Sequence, residues 1–396
     1  MKILFLVERP TQFEAPFFRH VAAHHREHTL RALFTAPDPA APVHDPELGH
    51  RVDWGIELLG DGYPHAELPA AGRSRWLAGE LRRERWDLLI TNGYKGRESL
   101  VAAWLARRAG IATALRLDSV AAGSRARRAA KRLLFSGALG RLYDVFLGVG
   151  SRTIEYLERC GIDEARRGLF PYAVDGDYFR AGSRLSPDER AAVRRGLGVA
   201  GVAGAAGARV VLAVAKLNDR EAPWDLVEAL PGLRAGVELV VAGDGPAIAG
   251  LRARAEALAP GRAHFPGYIQ YPRLPALYGA ADLFVHTARQ EYWGVSVAEA
   301  LACGLPAITA ASVGAGLDLI RPGRNGFVYP GGDAAELAQR IGEALQWPRG
   351  DVARANEEVL AGWDYAAAWR HLLAGAERAR AMAARRARAR PGGRRP

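Results

Sequence analysis

Three features of this sequence predict an α/β architecture of two doubly wound parallel sheets in series. Short apolar runs alternate with longer amphipathic stretches from end to end. The alternation restarts after Pro187. At 396 residues, the chain has the length of two ordinary domains.

The first rhythm predicts strands at Lys2–Val7, Leu30–Thr35, Asp87–Thr91, Ile111–Leu117 and Asp144–Gly150. Helical patterns at Glu14–His25, Gly96–Ala109 and Ser124–Leu139 lie between them. The opening apolar run breaks at Glu8, so it reads as a buried strand rather than a signal peptide. Leu169–Asp175 closes this rhythm and Gly182-Ser183-Arg184 opens a polar stretch, which places a hinge at 175–185. Gly198–Ala208 is Gly and Ala apart from two Val, the composition of a loop. The second rhythm has strands at Arg209–Ala215, Val237–Gly243, Ala281–Thr287 and Leu305–Ala310. The expected domains are therefore 1–180 and 181–363, followed by a helix at 364–384 and a basic, disordered tail at 385–396.

Composition narrows the class. With 49% apolar residues the chain is too apolar for disorder, and no run approaches the ~20 apolar residues of a membrane-spanning helix. Cys160 and Cys303 form no disulfide framework and lack the spaced partners of a zinc site, as expected of a protein in the reducing cytoplasm. The net charge of +11 is concentrated in the tail: 376–396 holds eight Arg and one Glu. The expected role of this tail is a solvated terminus, and nucleic acid is not an expected partner.

The most informative segment is Thr287–Pro306. It leaves a buried strand, passes Glu291 and Gly294, and becomes a helix that Gly304 and Pro306 end. A strand, a glycine turn and a helix N-terminus present free N–H groups and a positive dipole end, which suit a phosphate. Glu291 falls in the loop at the strand's carboxyl edge, where ligands of open parallel sheets bind. Glu299 lies inside the helix, and its carboxylate can accept two hydrogen bonds from a vicinal diol such as a ribose.

These residues resemble the signature of retaining glycosyltransferase family 4, which has the GT-B fold. The resemblance rests on two Glu eight positions apart, Gly three after the first and Ala300–Pro306 after the second. Val241–Pro246, His264–Ile269, Leu274–Asp282, Gly314–Ile320 and Gly323–Val328 extend it. Thr11-Gln12-Phe13, Arg116–Ser119 and Pro171–Asp175 extend it more loosely into the first domain.

The resemblance implies two Rossmann-like domains facing each other across a cleft, with the last helix crossing back to the first. It implies transfer of a sugar from a UDP- or GDP-linked donor to a glycan, lipid-linked or small-molecule acceptor, with retention by front-face attack. No metal is required and no resident cofactor is expected. Glu291, Lys216 and Asp118 would be the catalytic residues. Glu299 would hold the ribose, and Gly294, Val295 and Ser296 the diphosphate. Arg220, Gly243, Tyr268, Ile269 and Trp293 would complete the donor side. Gln12, Phe13, Tyr94 and Arg116 would face the acceptor.

Two departures stand out. The family's second basic residue, a Lys five after Lys216, is Glu221 here, and the usual first-domain His is absent, with Asp118 its nearest equivalent. They motivate the alternatives: a degenerate GT-B protein that binds nucleotide or glycan without turnover, or another GT-B enzyme such as a nucleotide-sugar 2-epimerase or a phosphorylase. His286, ending a buried strand beside the site, reads as a satisfied core imidazole. The stretch Arg125–Arg132, beside Leu133, Leu134 and Phe135, reads first as a solvated helix face, and the alternative is peripheral contact with the inner face of an anionic membrane.

Overall fold

A computed structural model describes residues 1–36, 43–45, 50–120, 124–199 and 207–389. The chain forms two compact units: Met1–Ala41, Glu57–Ala173 and Tyr365–Pro396 make the first, and Pro42–Ile56 with Val174–Asp364 the second.

The first unit is built on seven parallel strands: Lys2–Val7 (β1), Thr29–Phe34 (β2), His65–Glu67 (β3), Leu88–Asn92 (β4), Ala112–Leu117 (β5), Val145–Gly148 (β6) and Arg167–Leu169 (β7). Their spatial order is β3-β2-β1-β4-β5-β6-β7, so the direction of winding reverses between β1 and β4. Central strands are buried on both faces, which is why they read as unbroken apolar runs such as Ile3-Leu4-Phe5-Leu6. One face is covered by Leu77, Leu81, Ala103 and Tyr156, among others, and the other by Phe17, Phe18 and the final helix.

That final helix, Tyr365–Arg388, buries Trp369, Leu372, Ala376 and Ala379 against this sheet. Gly375 permits the approach, because a Cβ there would lie 2.8 Å from Leu147 Cδ2. The expected start of a disordered tail at 385 is corrected. The helix continues to Arg388, and Arg386 is tied to the buried Asp144 carboxylate and to the Ile111 carbonyl. Residues 390–396, like the centre of the expected Gly198–Ala208 loop, lie outside the described residues.

The second unit holds six parallel strands: Arg209–Val214 (β8), Val237–Ala242 (β9), Ala263–Gly267 (β10), Leu283–His286 (β11), Ala307–Ala310 (β12) and Gly326–Tyr329 (β13). Their order is β10-β9-β8-β11-β12-β13, so winding reverses between β8 and β11. Asp282, just before β11, accepts from the guanidinium groups of Arg190 (2.9 Å), Arg194 (2.7 Å) and Arg349 (2.7 Å), which fixes two flanking helices to the strand's start.

The boundaries differ from the expected ones in two ways. The chain enters the second unit at Val174, ahead of the 181 boundary. Segment 42–56, counted with the first domain on sequence, belongs to the second. Backbone and side-chain bonds explain this: Tyr271 N–H donates to the Trp54 carbonyl (3.2 Å) and the Tyr268 hydroxyl to the Asp53 carbonyl (3.3 Å).

Candidate functional site

In an open parallel sheet, the loops leaving the carboxyl ends of the two strands at the reversal point diverge and leave a crevice. In the second unit these are the loops after β8 and β11, which carry Lys216, Arg220 and Glu221 on one side and Glu291 and Gly294 on the other. Gly243, after neighbouring β9, adopts φ +146° and packs directly on the β8 loop. A Cβ there would lie 1.8 Å from the Ala215 carbonyl oxygen. Only glycine combines that dihedral with that approach.

Gly294 begins the helix Val295–Ala302 in the left-handed conformation, φ +98°. No side chain caps this end, so the first N–H groups, those of Val295 and Ser296 included, point out of the helix without an intrahelical acceptor. The loop is held from behind. Gly314 N–H donates to the Glu291 carbonyl (3.2 Å) and Ala315 N–H to that of Trp293 (2.7 Å). Glu291 turns one carboxylate oxygen onto the Trp293 N–H (3.2 Å), which fixes the side chain at the loop's mouth, half-buried.

Glu299, one turn further on, is buried. Its Oε2 accepts from the Tyr278 hydroxyl at 2.8 Å. Burial pushes its carboxyl up to about 7, with the Tyr278 bond pulling the other way. Tyr271 and Tyr178 stack with parallel rings, centroids 5.7 Å apart, and both feel the Glu299 charge. Tyr268 and Ile269 are half-buried at the end of β10.

Glu221 does not stand in solvent. It is buried, and one of its oxygens lies 2.8 Å from Arg220, whose other terminal nitrogen is 4.0 Å from Glu291. Arg220 thus balances the carboxylate that replaces the expected Lys. His286, read as a core imidazole, is buried at the end of β11, its ring centroid 6.4 Å from that of Phe284. Burial lowers its pKa, partly opposed by Glu291. Trp293, expected on the donor side, is also corrected. Its ring is buried and stacks on Trp363 with centroids 4.9 Å apart, so it serves packing within the unit.

The first unit gathers a second set of residues at the reversal between β1 and β4. Phe13 packs on Tyr172 (4.8 Å), whose hydroxyl donates to Asp118 (3.3 Å), and Gln12 is half-buried beside them in sequence. Arg116, expected on the acceptor side, is corrected. It is buried between the rings of Phe170 and Tyr172 and donates to the Phe170 (3.1 Å) and Pro171 (2.7 Å) carbonyls and to Glu14 (3.2 Å). Each of its three nitrogens donates inside the protein. Tyr94 is corrected likewise: it is half-buried, lying edge-on to Phe135 (5.3 Å) against the core of the opposite face.

Sequence reasoning missed Glu14 and gave Tyr278 no role. Glu14 carried no signal, since an acid in a first helical turn is ordinary. Tyr278 lay in plain sight within Leu274–Asp282, but contact with Glu299 needs the fold.

Comparison with known proteins bears on the second unit and on the fold. Residues 203–358 match the family model described as Glycosyl transferases group 1. The D-inositol 3-phosphate glycosyltransferase of Geodermatophilus obscurus is 33% identical over 205 residues, 48% of this chain and 43% of that relative. Its namesake in Mycobacterium tuberculosis (strain ATCC 25177 / H37Ra) is 31% identical over 217 residues, 52% of this chain and 42% of the relative. These matches therefore span less than half the length of either curated relative. Among solved structures, Anabaena Alr3699/HepE in complex with UDP superposes with TM-score 0.72 at 19% identity, covering 94% of this chain and 98% of that one. WaaG, a glycosyltransferase involved in lipopolysaccharide biosynthesis, gives 0.58 at 18% identity, covering 99% and 100%. The fold of the chain is that of the GT-B glycosyltransferases, and its second unit carries the match to the group 1 family.

Proposed function

We propose that this chain is an enzyme, a retaining glycosyltransferase that moves a sugar from a UDP- or GDP-linked donor to a glycan, lipid-linked or small-molecule acceptor. One observation carries the reading: the loops leaving β8 and β11 at the reversal point of the second sheet carry Lys216, Arg220 and Glu291, Arg220 lies 4.0 Å from Glu291, and the second loop runs into an uncapped helix N-terminus whose helix buries Glu299. Alr3699/HepE has been solved with UDP, with UDP and glucose, and with UDP-glucose, which supports a nucleotide-sugar donor.

In this reading Glu299 accepts hydrogen bonds from the ribose, and the N–H groups of Val295 and Ser296 bind the diphosphate. Lys216 and Arg220 stabilise the negative charge that develops on the leaving group. Glu291 fixes the donor sugar by its hydroxyls, and the departing phosphate accepts the acceptor's proton during front-face attack. The acceptor meets Gln12, Phe13 and Asp118 of the first unit. The work is positioning and charge stabilisation rather than covalent catalysis.

The test is titration calorimetry against UDP, GDP, ADP, TDP and CMP with their sugars, followed by product analysis. Preference for one nucleotide, weakened in Glu299→Ala, together with lost turnover in Glu291→Ala, is the expected result. Binding without turnover over an acceptor panel would favour the degenerate protein, and an altered sugar without acceptor would favour the epimerase.

Helix Arg125–Leu133 favours a peripheral membrane location at the cytoplasmic face. It buries none of its residues, leaves Leu133 74% exposed, and borders a cavity of about 340 Å³ lined by Arg128, Lys131, Arg132 and Arg159. Flotation with phosphatidylglycerol vesicles that salt abolishes is expected; no flotation at low salt would remove this location.

A further inference from the structure

The cavity beside helix Arg125–Leu133 has a wall of one charge sign. Arg128, Lys131 and Arg132 stand three and four positions apart and so share one side of that helix. Tyr156, Arg159 and Cys160 do the same on helix Ser151–Arg159 and its cap, and the two sides border a space of about 340 Å³. That volume lies at the small end of the ~300–1,000 Å³ of ligand sites. Four of the lining residues are cations and none is acidic. Arg159 meets Glu155 at 3.4 Å, but both are exposed, so the pair does little to offset the charge.

Tyr156 supplies an independent observation. It is 3% exposed, the Lys131 ammonium lies 5.1 Å from its ring centroid, and its hydroxyl has no hydrogen-bond partner among the described residues. Burial above all, with the Cys160 thiol beside it, pushes its pKa upward, so the hydroxyl stays a donor. A buried donor without an acceptor, in the wall of a cavity bordered by cations, calls for an oxyanion. Directly after Arg132 and Leu133 the helix widens into a π-helical turn, Leu134–Leu139. The turn buries Phe135, while Leu133 and Leu134 remain 74% and 38% exposed.

We propose that this cavity seats the phosphate of an anionic membrane lipid, with Leu133 and Leu134 entering the acyl boundary beside it. The proposal rests on the peripheral location proposed above and adds a defined headgroup site to it. Arg128, Lys131, Arg132 and Arg159 meet the charge, and the Tyr156 hydroxyl donates to a phosphate oxygen. A soluble phosphate would account for the cations and the hydroxyl but not for two exposed leucines next to them. Diffuse surface charge would account for neither the cavity nor the buried hydroxyl.

The experiment floats full-length protein at low salt with phosphatidylcholine vesicles that carry phosphatidylglycerol, and compares changes inside and outside the cavity. Tyr156→Phe, which alters no charge, should weaken vesicle binding about tenfold, the loss of one hydrogen bond to a charged group. Arg132→Gln should cost more than that. Arg125→Gln, on the same helix but outside the cavity wall, should cost only about fivefold, the effect of one cation near an anionic surface. Vesicles of phosphatidylcholine alone should not bind, and millimolar inorganic phosphate or glycerol 3-phosphate should leave the protein on the anionic vesicles. Circular dichroism checks the fold of each variant, and if Tyr156→Phe does not fold, Arg132→Gln against Arg125→Gln decides alone. Unchanged flotation of Tyr156→Phe, or equal losses in the two Arg variants, would overturn the cavity site but leave a location held by diffuse charge. Displacement by either soluble phosphate at matched ionic strength would assign the cavity to free phosphate and overturn the lipid. No flotation of the wild type removes location and cavity together and leaves the donor site untouched.

Discussion

Tyr278 donates its hydroxyl to Oε2 of Glu299 at 2.8 Å, and both side chains are buried. The pair places a carboxylate that titrates at about 7 at the spot where a ribose is proposed to dock. Hydroxyls of a ribose donate to the ionised form and so favour it. Burial has raised the folded carboxyl, so the free site holds a proton below about 7 and must release it on binding. Donor affinity should therefore rise with pH up to about 7 and level off above it, by as much as about tenfold per pH unit on the acid side. Calorimetry at pH 6 and 8 in buffers of different ionisation enthalpy reads both the affinity and the released proton. Tyr278→Phe should move the midpoint upward, and Glu299→Gln should remove the dependence.

The Arg116–Glu14 pair is a different case, because it faces only protein. Each side chain is 3% exposed. Removing one charge strands the other in a low-dielectric interior. Arg116→Met should cost about 3–5 kcal/mol in urea unfolding, with Glu14→Gln milder because an amide still accepts from Arg116. An unchanged midpoint in Arg116→Met would mean that the pair is solvated.

Gly243→Ala should destabilise the second unit by at least about 2 kcal/mol, since it joins a disfavoured φ to a contact with the Ala215 carbonyl that cannot be relieved by a rotamer change. The expected signature is a lower thermal midpoint together with weakened nucleotide binding, because the displaced loop carries Lys216. Retained stability with lost binding would instead assign Gly243 directly to the ligand.

Truncation after Ala384 removes Arg386 and its bond to Asp144, but leaves Arg107 on the same carboxylate at 3.1 Å. A loss of about 1–3 kcal/mol is expected, read by thermal unfolding. A solvated tail would give no change.

Most strands were legible in the sequence, because β1, β4, β8 and β9 are buried on both faces and so appear as continuous apolar runs. The Glu291–Gly294–Glu299 segment was legible for a similar reason: strand, turn and helix follow one another in the chain. What escaped were relationships between distant residues. Arg116 and Tyr94 sit near candidate residues in sequence, yet the fold turns Arg116 into the interior and packs Tyr94 against Phe135. Trp293 was read as a wall of the site because nothing in the sequence connects it with Trp363. The membership of 42–56 in the second unit depends on backbone bonds to residues more than two hundred positions away, which no local pattern encodes.

The return of helix Tyr365–Arg388 to the first sheet has a consequence for biosynthesis. Trp369, Leu372 and Ala376 belong to the core of the first unit but leave the ribosome only after the whole of segment 174–364. The first unit therefore waits, with part of one sheet face bare, while nearly all of the second is already available to fold. Vectorial synthesis thus favours completion of the unit encoded in between, and the earlier one closes only when its last helix has emerged.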